Sequence, residues 1–287
     1  VIYDCVLEVE ATISVSQVLK ELGVSTSGYY AYKKRHSSQQ ELRKKKVIEE
    51  IKEIHEASYQ IYGAPKITHK LRQQGIVISQ KTVSNYMRES GIKAHYRKPY
   101  TITTISRNVE KELKDCLQRQ FRPSRPNAVW CTDITYIWTQ TGFVYLTSII
   151  DLYSRKIIAW ELTEDLSVDG IISCLNQAKR HRNHVVPTVI HSDRGTQYLS
   201  NAYTQHLGQN MTASYCRKGN PWDNACIESF HSLIKREWLN RLTFNTIHDA
   251  RRAVFEYINV FYNRFRIHST LGYMTPQDFE FQYVHQH

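Results

Sequence analysis

A-V-W-C-T-D-I-T-Y-I-W-T-Q-T-G-F-V-Y-L-T-S-I-I-D-L-Y-S-R-K-I-I-A-W-E-L (residues 128–162) is the stretch that decides the fold. Val129–Trp138 is rich in aromatic and β-branched residues and reads as a strand. Gly142 sits in a turn, Phe143–Ile150 is a second strand, residues 151–155 turn, and Lys156–Leu162 is a third strand. Downstream the period changes. Val168–His181 reads as helix, Thr188–His191 as a short buried strand, Ser200–Gly208 as helix, Thr212–Tyr215 as a strand and Asp223–Leu239 as helix. Periodicity alone supports a mixed α/β domain.

Upstream of this stretch the chain reads as helical. Val15, Val18, Leu19 and Leu22 fall at helical spacing, Gly23 breaks the run, and Ser25 caps a second short helix. Residues 37–58 form a charged helix with Leu42, Val47, Ile51 and Ile54 as its apolar positions. Pro65 suits the first turn of a helix that Gly75 ends. Ser79 caps the next, turning Val83, Tyr86 and Met87 inward and leaving Lys81, Thr82, Ser84, Asn85 and Arg88 outward. A short helix, a tight turn and a second helix with a basic outer face is a groove-reading arrangement; a plain solvated face is the alternative. His95–Asn127 is basic and proline-punctuated, with a charged helical piece between Val109 and Gln120, and reads as a linker. After the α/β stretch, Ile247–Tyr262 is an amphipathic helix followed by a tail.

The formal charge of +11 points to a polyanionic partner, since Lys and Arg that neutralise phosphates release counterions. A basic but solvated surface is the plainer alternative, which the charge alone disfavours only weakly. No apolar run approaches the about 18 residues that span a bilayer. The segment Val1–Cys5 does not read as a signal peptide, and the absence of an initial Met fits a non-standard start codon or a piece of a longer polypeptide. The six cysteines form no C-x-x-C and pair with no His at zinc spacing. They read as reduced thiols in a cytoplasmic protein.

Three acids stand out: Asp133 inside the first strand, Asp193 at the carboxyl end of a short strand in H-S-D-R-G-T-Q-Y, and Glu228 in the helix of G-N-P-W-D-N-A-C-I-E-S-F-H-S-L-I-K. Phosphodiester cleavage at neutral pH needs an activated water and charge neutralisation, which two divalent ions held by a few carboxylates supply. Each acid has a plainer reading. Asp133 could lie on a solvated edge strand, Asp193 could form an Asx-turn into Arg194-Gly195, and Glu228 borders the apolar stripe of Ile227, Phe230 and Ile234. Lys235, seven residues after Glu228, shares its face about 10 Å along the axis. It is placed to hold a DNA phosphate, or is a surface lysine. His231, on the same side, reads as a surface residue.

These residues lie in motifs that resemble bacterial insertion-sequence DDE transposases of the IS-three family, relatives of retroviral integrases. The matching stretches are F-R-P-S-R-P-N-A-V-W-C-T-D-I-T-Y-I (121–137), I-D-L-Y-S-R-K-I-I-A-W (150–160), H-S-D-R-G-T-Q-Y (191–198), the segment 219–235 and Y-N-R-F-R-I-H-S-T-L-G-Y-M-T-P (262–276). Y-G-A-P-K-I and S-G-Y-Y (27–30) fit the same family. The resemblance implies a ribonuclease H-like, retroviral integrase-type core with a mixed five-stranded sheet, preceded by all-α helix-turn-helix segments and lacking an N-terminal zinc module. The expected segments are 1–36, 37–98, a basic linker 99–122, a core 123–240 and a C-terminal helix and tail 241–287.

The resemblance also implies a chemistry. Asp133, Asp193 and Glu228 would be the catalytic acids, holding Mg2+ or Mn2+ as two ions, with Lys235 as the family's downstream basic residue, both catalytic and in contact with DNA. Lys81, Thr82, Asn85 and Arg88 would contact DNA. One strand is cleaved at an element end, and the freed 3′-hydroxyl attacks a second phosphodiester, commonly at the other end of the same element to give a circle. A homo-oligomer on DNA and an upstream reading frame joined by frameshifting are the implied partners. Two other readings share much of the pattern: a DNA-binding regulator without catalysis, and a nuclease that cuts without joining.

Overall fold

A computed structural model describes residues 2–9, 14–34, 38–95, 113–183, 185–217 and 221–286. Compactness divides the chain into two units, 1–53 and 54–287. In the first, α1 (Ile2–Val9), α2 (Val15–Glu21) and α3 (Thr26–Lys33) enclose Val6, Leu19 and Tyr29. The Ser25 hydroxyl accepts from the Gly28 N–H at the start of α3, as its cap position requires. Leu22, expected inward, is exposed because it is the C-cap residue of α2, where the chain leaves the helix for Gly23 at φ 64°. Helix α4 (Gln39–Ala57) buries Val47 and Ile51 but leaves Leu42 exposed.

In the second unit, α5 (Ala64–Gln73) has Pro65 in its first turn and is followed by Gly75 at φ 83°. Ser79 caps α6 (Gln80–Glu89) by accepting from the Thr82 N–H, and Val83 and Met87 are buried. The expected helical piece up to Gln120 is not formed in its described part. Residues 113–120 run as bends and turns against the sheet, with the Lys114 carbonyl accepting from Tyr215 N–H and Ser214 Oγ accepting from Cys116 N–H. Residues 96–112, including most of the expected linker, lie outside the described residues.

The sheet contains β1 (Val129–Thr139), β2 (Gly142–Asp151), β3 (Ile157–Thr163), β4 (Val189–Ser192) and β5 (Thr212–Tyr215) in the order β3-β2-β1-β4-β5. β1 is antiparallel to β2 and parallel to β4, and β4 is parallel to β5. Helices α7 (Val168–His181) and α8 (Asn201–Leu207) share one core with Trp130, Ile149, Ile171, Leu175 and Ile190. Helix α9 (Ala225–Glu237) packs on β1 and β2 with Ile227, Phe230 and Ile234 buried. The chemistry is placed by a mismatch of strand lengths. β1 pairs with β4 only over Val129–Cys131, so beyond Thr132 one edge of β1 is open where β4 ends.

Helix α10 (Ile247–Phe255) begins with a capping box between Thr246 and Asp249 and widens into a π-helical stretch, Glu256–Tyr262, where the sequence reads as one regular helix. The edge of β3 is covered by the Asn263 side chain, which donates to Ile157 O and accepts from Ile157 N–H. A last helix, α11 (Pro276–Gln286), occupies the expected tail. Glu280 anchors it by accepting from Ser154 Oγ and pairing with Arg182. Among the described residues no helix is long and apolar enough to cross a membrane.

Candidate active site

Asp133 lies on the middle strand of the sheet, just past the point where β1 loses its β4 neighbour, and is half-buried, so it is not a solvated edge-strand residue. Cys131 pairs with His191 across β1 and β4, so Asp133 and Asp193, two residues further on each strand, emerge at the same open edge. Both line one pocket, together with Thr135, Tyr136, Tyr145 and Tyr198. Asp193 also makes the Asx-turn its surroundings suggested: its Oδ1 accepts from Gly195 N–H at 2.9 Å. A Cβ on Gly195 would stand 3.0 Å from that oxygen, so the glycine allows the turn to close against the acid. Glu228 approaches from the first turn of α9.

The electrostatics couple the three acids. Burial first, and the charge of Asp133 next, raise Asp193 to about 6, while the Gly195 N–H opposes the rise. Partial burial of its carboxyl, then Asp133 and Asp193, raise Glu228 to about 7. The three acids repel one another, and an added cation would relieve that repulsion. The donors are all hard carboxylate oxygens, as Mg2+ and Mn2+ prefer. Among the described residues no group of three or more His, Cys, Asp or Glu side chains is gathered closely enough to hold a metal ion by itself. The open arrangement fits Mg2+, which keeps several waters and takes only one or two carboxylates.

Lys235 is half-buried, with its ammonium 4.2 Å from the centre of the Tyr136 ring. Burial lowers its pKa, and the charge of Asp133 opposes that. Because Tyr136 lines the acid pocket, Lys235 stands at the pocket's rim. On α6, Lys81 and Arg88 are exposed while Thr82 and Asn85 are half-buried. The Thr82 hydroxyl lies 2.9 Å from Ser79 Oγ, and Asn85 Oδ1 accepts from Arg88.

Comparison with known proteins identifies the family. Residues 123–221 and 209–276 match family models described as integrase core domains, and 41–100 match an HTH-like domain. The transposase InsF for insertion sequence IS3A of Escherichia coli (strain K12) is 34% identical over 279 residues, covering 94% of this chain and 95% of its own. The transposase for insertion sequence element IS904 of Lactococcus lactis subsp. lactis (strain IL1403) is 34% identical over 247 residues, covering 86% and 98%. The chain belongs to the IS3 family of insertion-sequence transposases. Its function is DNA transposition, and metal-dependent strand cleavage and strand transfer are the family's general activity. Among solved structures, the HTLV-2 integrase catalytic core in complex with magnesium aligns over 55% of this chain and 99% of its own, at 18% identity and a TM-score of 0.44. A chain of the simian T-cell lymphotropic virus intasome aligns over 79% and 73%, at 14% and a TM-score of 0.47.

Two features of this IS3-family site escape sequence reading. His231, read as a surface residue, is buried: its Nδ1 lies 3.3 Å from Asp133 Oδ2 and its Nε2 3.3 Å from Ser148 Oγ. Asp133 faces Ser148 across β1 and β2, so α9 sets the imidazole between two residues that the sheet already pairs. Only the i, i+3 spacing of Glu228 and His231 hinted at this. The second is a clasp at the start of α9. Buried Asp223 accepts from the Arg217 guanidinium and backbone N–H and from Arg119 Nε. Hydrogen bonding from Arg217 foremost, outweighing burial, keeps this carboxyl far below its ordinary range. No local spacing joins Arg119 to Asp223.

Proposed function

We propose that Asp133, Asp193 and Glu228 are the catalytic acids of this transposase and hold Mg2+ or Mn2+, two ions at a time. The observation that carries the reading is that Asp133 and Asp193 line one pocket at an open strand edge, while Glu228 on α9 feels the charge of both. Bound there, the ions would supply nucleophile activation at neutral pH and offset charge building on the scissile phosphate. The chain's own residues do the rest. Gly195 N–H fixes the Asp193 carboxylate, and His231 holds Asp133 from the side of α9. Lys235 meets a backbone phosphate at the rim.

In cleavage, a water oxygen bonds to phosphorus and the bond from phosphorus to the 3′-oxygen breaks, leaving a 3′-hydroxyl. In strand transfer, that hydroxyl bonds to another phosphorus as a second phosphorus–oxygen bond breaks, so the number of phosphodiesters is kept. The outer face of α6, with Lys81, Thr82, Asn85 and Arg88, contacts DNA at the element ends. Joining two ends calls for more than one copy on DNA, and a product of an upstream reading frame is a further partner. The protein acts in the bacterial cytoplasm, where its DNA lies.

Amide replacement tests the acids. Asp133→Asn, Asp193→Asn and Glu228→Gln, made singly, should each retain DNA binding and lose Mg2+- and Mn2+-dependent cleavage. A variant that still cuts removes its residue from the site.

A further inference from the structure

The β1–β2 hairpin carries two aromatic cross-strand pairs on one face, Tyr136 opposite Tyr145 and Trp138 opposite Phe143. Tyr136, Trp138 and Phe143 are 41%, 62% and 48% exposed. The Phe143 ring meets Tyr136 and Trp138 edge-on, at 5.3 and 4.8 Å between centroids. Ile137 and Val144, which alternate with them, are buried. Exposure therefore belongs to one face of the hairpin and does not come from fraying at its tip. The Gln140 N–H at that tip is held by the Phe244 carbonyl.

Contiguous exposed aromatic surface marks binding sites more often than chance. Two observations say what binds here. The face borders the acid pocket at the open edge of β1, where Tyr136 and Tyr145 line the pocket from the aromatic face and Asp133 from the other. A cation also stands at the junction, the Lys235 ammonium above Tyr136. Aromatic rings in series beside a fixed positive charge suit a strand that offers bases and phosphates alternately.

We propose that this face is a stacking platform for unpaired nucleobases of a DNA strand whose backbone enters the acid pocket. The proposal rests on the DNA-cutting reading above and adds the form of DNA that the site grips. A duplex hides its base faces in its own stack, so only frayed or flipped bases can use the platform. Every base has a π-face, so the platform discriminates paired from unpaired DNA and is tolerant of sequence. Same-face residues two apart on a strand are about 7 Å apart, which leaves room for successive bases. Aromatic cross-strand pairs also stabilise hairpins by mutual contact, but that role alone gives no preference for unpaired DNA.

The test uses the full chain in EDTA, where binding is read without cleavage. Fluorescence anisotropy compares a blunt duplex with the same duplex carrying an unpaired thymidine tail. The wild type should prefer the tailed probe. Trp138→Ala and Phe143→Ala should each weaken tailed binding about tenfold, the scale of one lost base–aromatic stack, and leave blunt binding unchanged. Trp138→Phe, which keeps a ring, should retain most of the preference. Equal binding of both probes by the wild type, or an equal loss on both probes in the alanine variants, would overturn the platform. So would a change of oligomeric state with tailed binding intact, which would assign the face to a second copy. Asp193→Asn is carried alongside to keep the two readings apart. If it still cuts, the acid assignment fails while the tail preference stands or falls separately. If it stops cutting and no tail preference exists, the platform alone fails.

Discussion

Asp193→Asn should make the metal-free protein more stable above pH 7. Asp193 and Glu228 have folded-state pKa values above their ordinary ones, about 6 against 3.8 and about 7 against 4.5. Between those limits the folded protein binds more protons than the unfolded chain. The stability that these groups contribute is therefore fully present below about pH 4 and is lost as pH rises through 6 to 7. For Asp193 the difference corresponds to about 3 kcal/mol at full ionisation. Solvent screening at a partly exposed site reduces that to about 2 kcal/mol. Asparagine removes the charge and keeps an oxygen that accepts the Gly195 N–H, so the turn survives. In a unit of this size the gain is about 4–8 °C in Tm. The assay is thermal unfolding in EDTA at pH 5 and pH 8. The variant should exceed the wild type at pH 8, and the gap should shrink to about half at pH 5, closing only below about pH 4. Burial lowers the pKa of His191 and His268, so those groups slope the other way, but they are common to both proteins and cancel in the difference. Added Mg2+ should raise the Tm of the wild type at pH 8 and do little for the variant. A gap that is absent, or the same at both pH values, would refute the repulsion argument.

Removing His231 should loosen Asp133 without unfolding the domain. His231→Ala should lower Mn2+ affinity, read by electron paramagnetic resonance, by about 10-fold or more, the usual scale for a group that orients a ligand, and His231→Asn should restore part of it. Unchanged Mn2+ affinity would reduce His231 to a packing residue. Neutralising Lys81 and Arg88 together should weaken DNA binding and flatten its dependence on salt, with a log–log slope smaller by about 2, and an unchanged slope would return this face to solvent. Arg266→Ala strands the buried Glu237 carboxylate, which now accepts from Arg266 at 2.6 and 2.7 Å and from Tyr257 at 2.7 Å. The expected loss is about 3–5 kcal/mol by denaturant unfolding, largely recovered when Glu237→Gln is added; a loss below about 1 kcal/mol would contradict it.

What the sequence made legible depended on how local its cause was. The range read for α7 is reproduced and those of β1–β3 nearly so, because long aromatic and β-branched runs and one strong helical stripe leave little choice. Asp133 and Asp193 were legible by motif and not by environment. Nothing in their spacing says that β4 stops three pairs along β1 and leaves the edge where both emerge. Helix α11 was missed although its start is written in Thr275-Pro276-Gln277-Asp278, where Thr275 Oγ1 accepts from Asp278 N–H and donates to its carboxylate. Pro276 stands in the first turn, where a proline favours the helix. His231 was misread because α9 buries more than its Ile227–Phe230–Ile234 stripe. One flank of the helix lies on a strand pair whose polar members, Asp133 and Ser148, accept an imidazole.

Helix α9 also explains why the motif of residues 262–276 belongs with the catalytic ones. Glu228, His231 and Lys235 are spaced i, i+3 and i+7, so one face of the helix carries all three toward the acid pocket. Glu237 lies two residues further, about 200° around, and points to the opposite side. There it pairs with Arg266, while burial alone would have raised its pKa and Arg266 outweighs that effect. The same tail grips the start of the α5–α6 pair. Tyr62 Oη donates to Phe265 O and accepts from Ile267 N–H, and His69 stacks on Tyr273 with centroids 4.5 Å apart. Tyr59 packs on Trp238 at the end of α9, and its carbonyl accepts from Arg241. The helix that presents Glu228 and the helix pair assigned to DNA are thus fixed to each other through one buried ion pair and one doubly bonded tyrosine. With DNA bound on α6 as proposed, such a support would hold its distance from the acids constant. Its cost is the desolvation of two charges, which a chain selected only for stability would avoid.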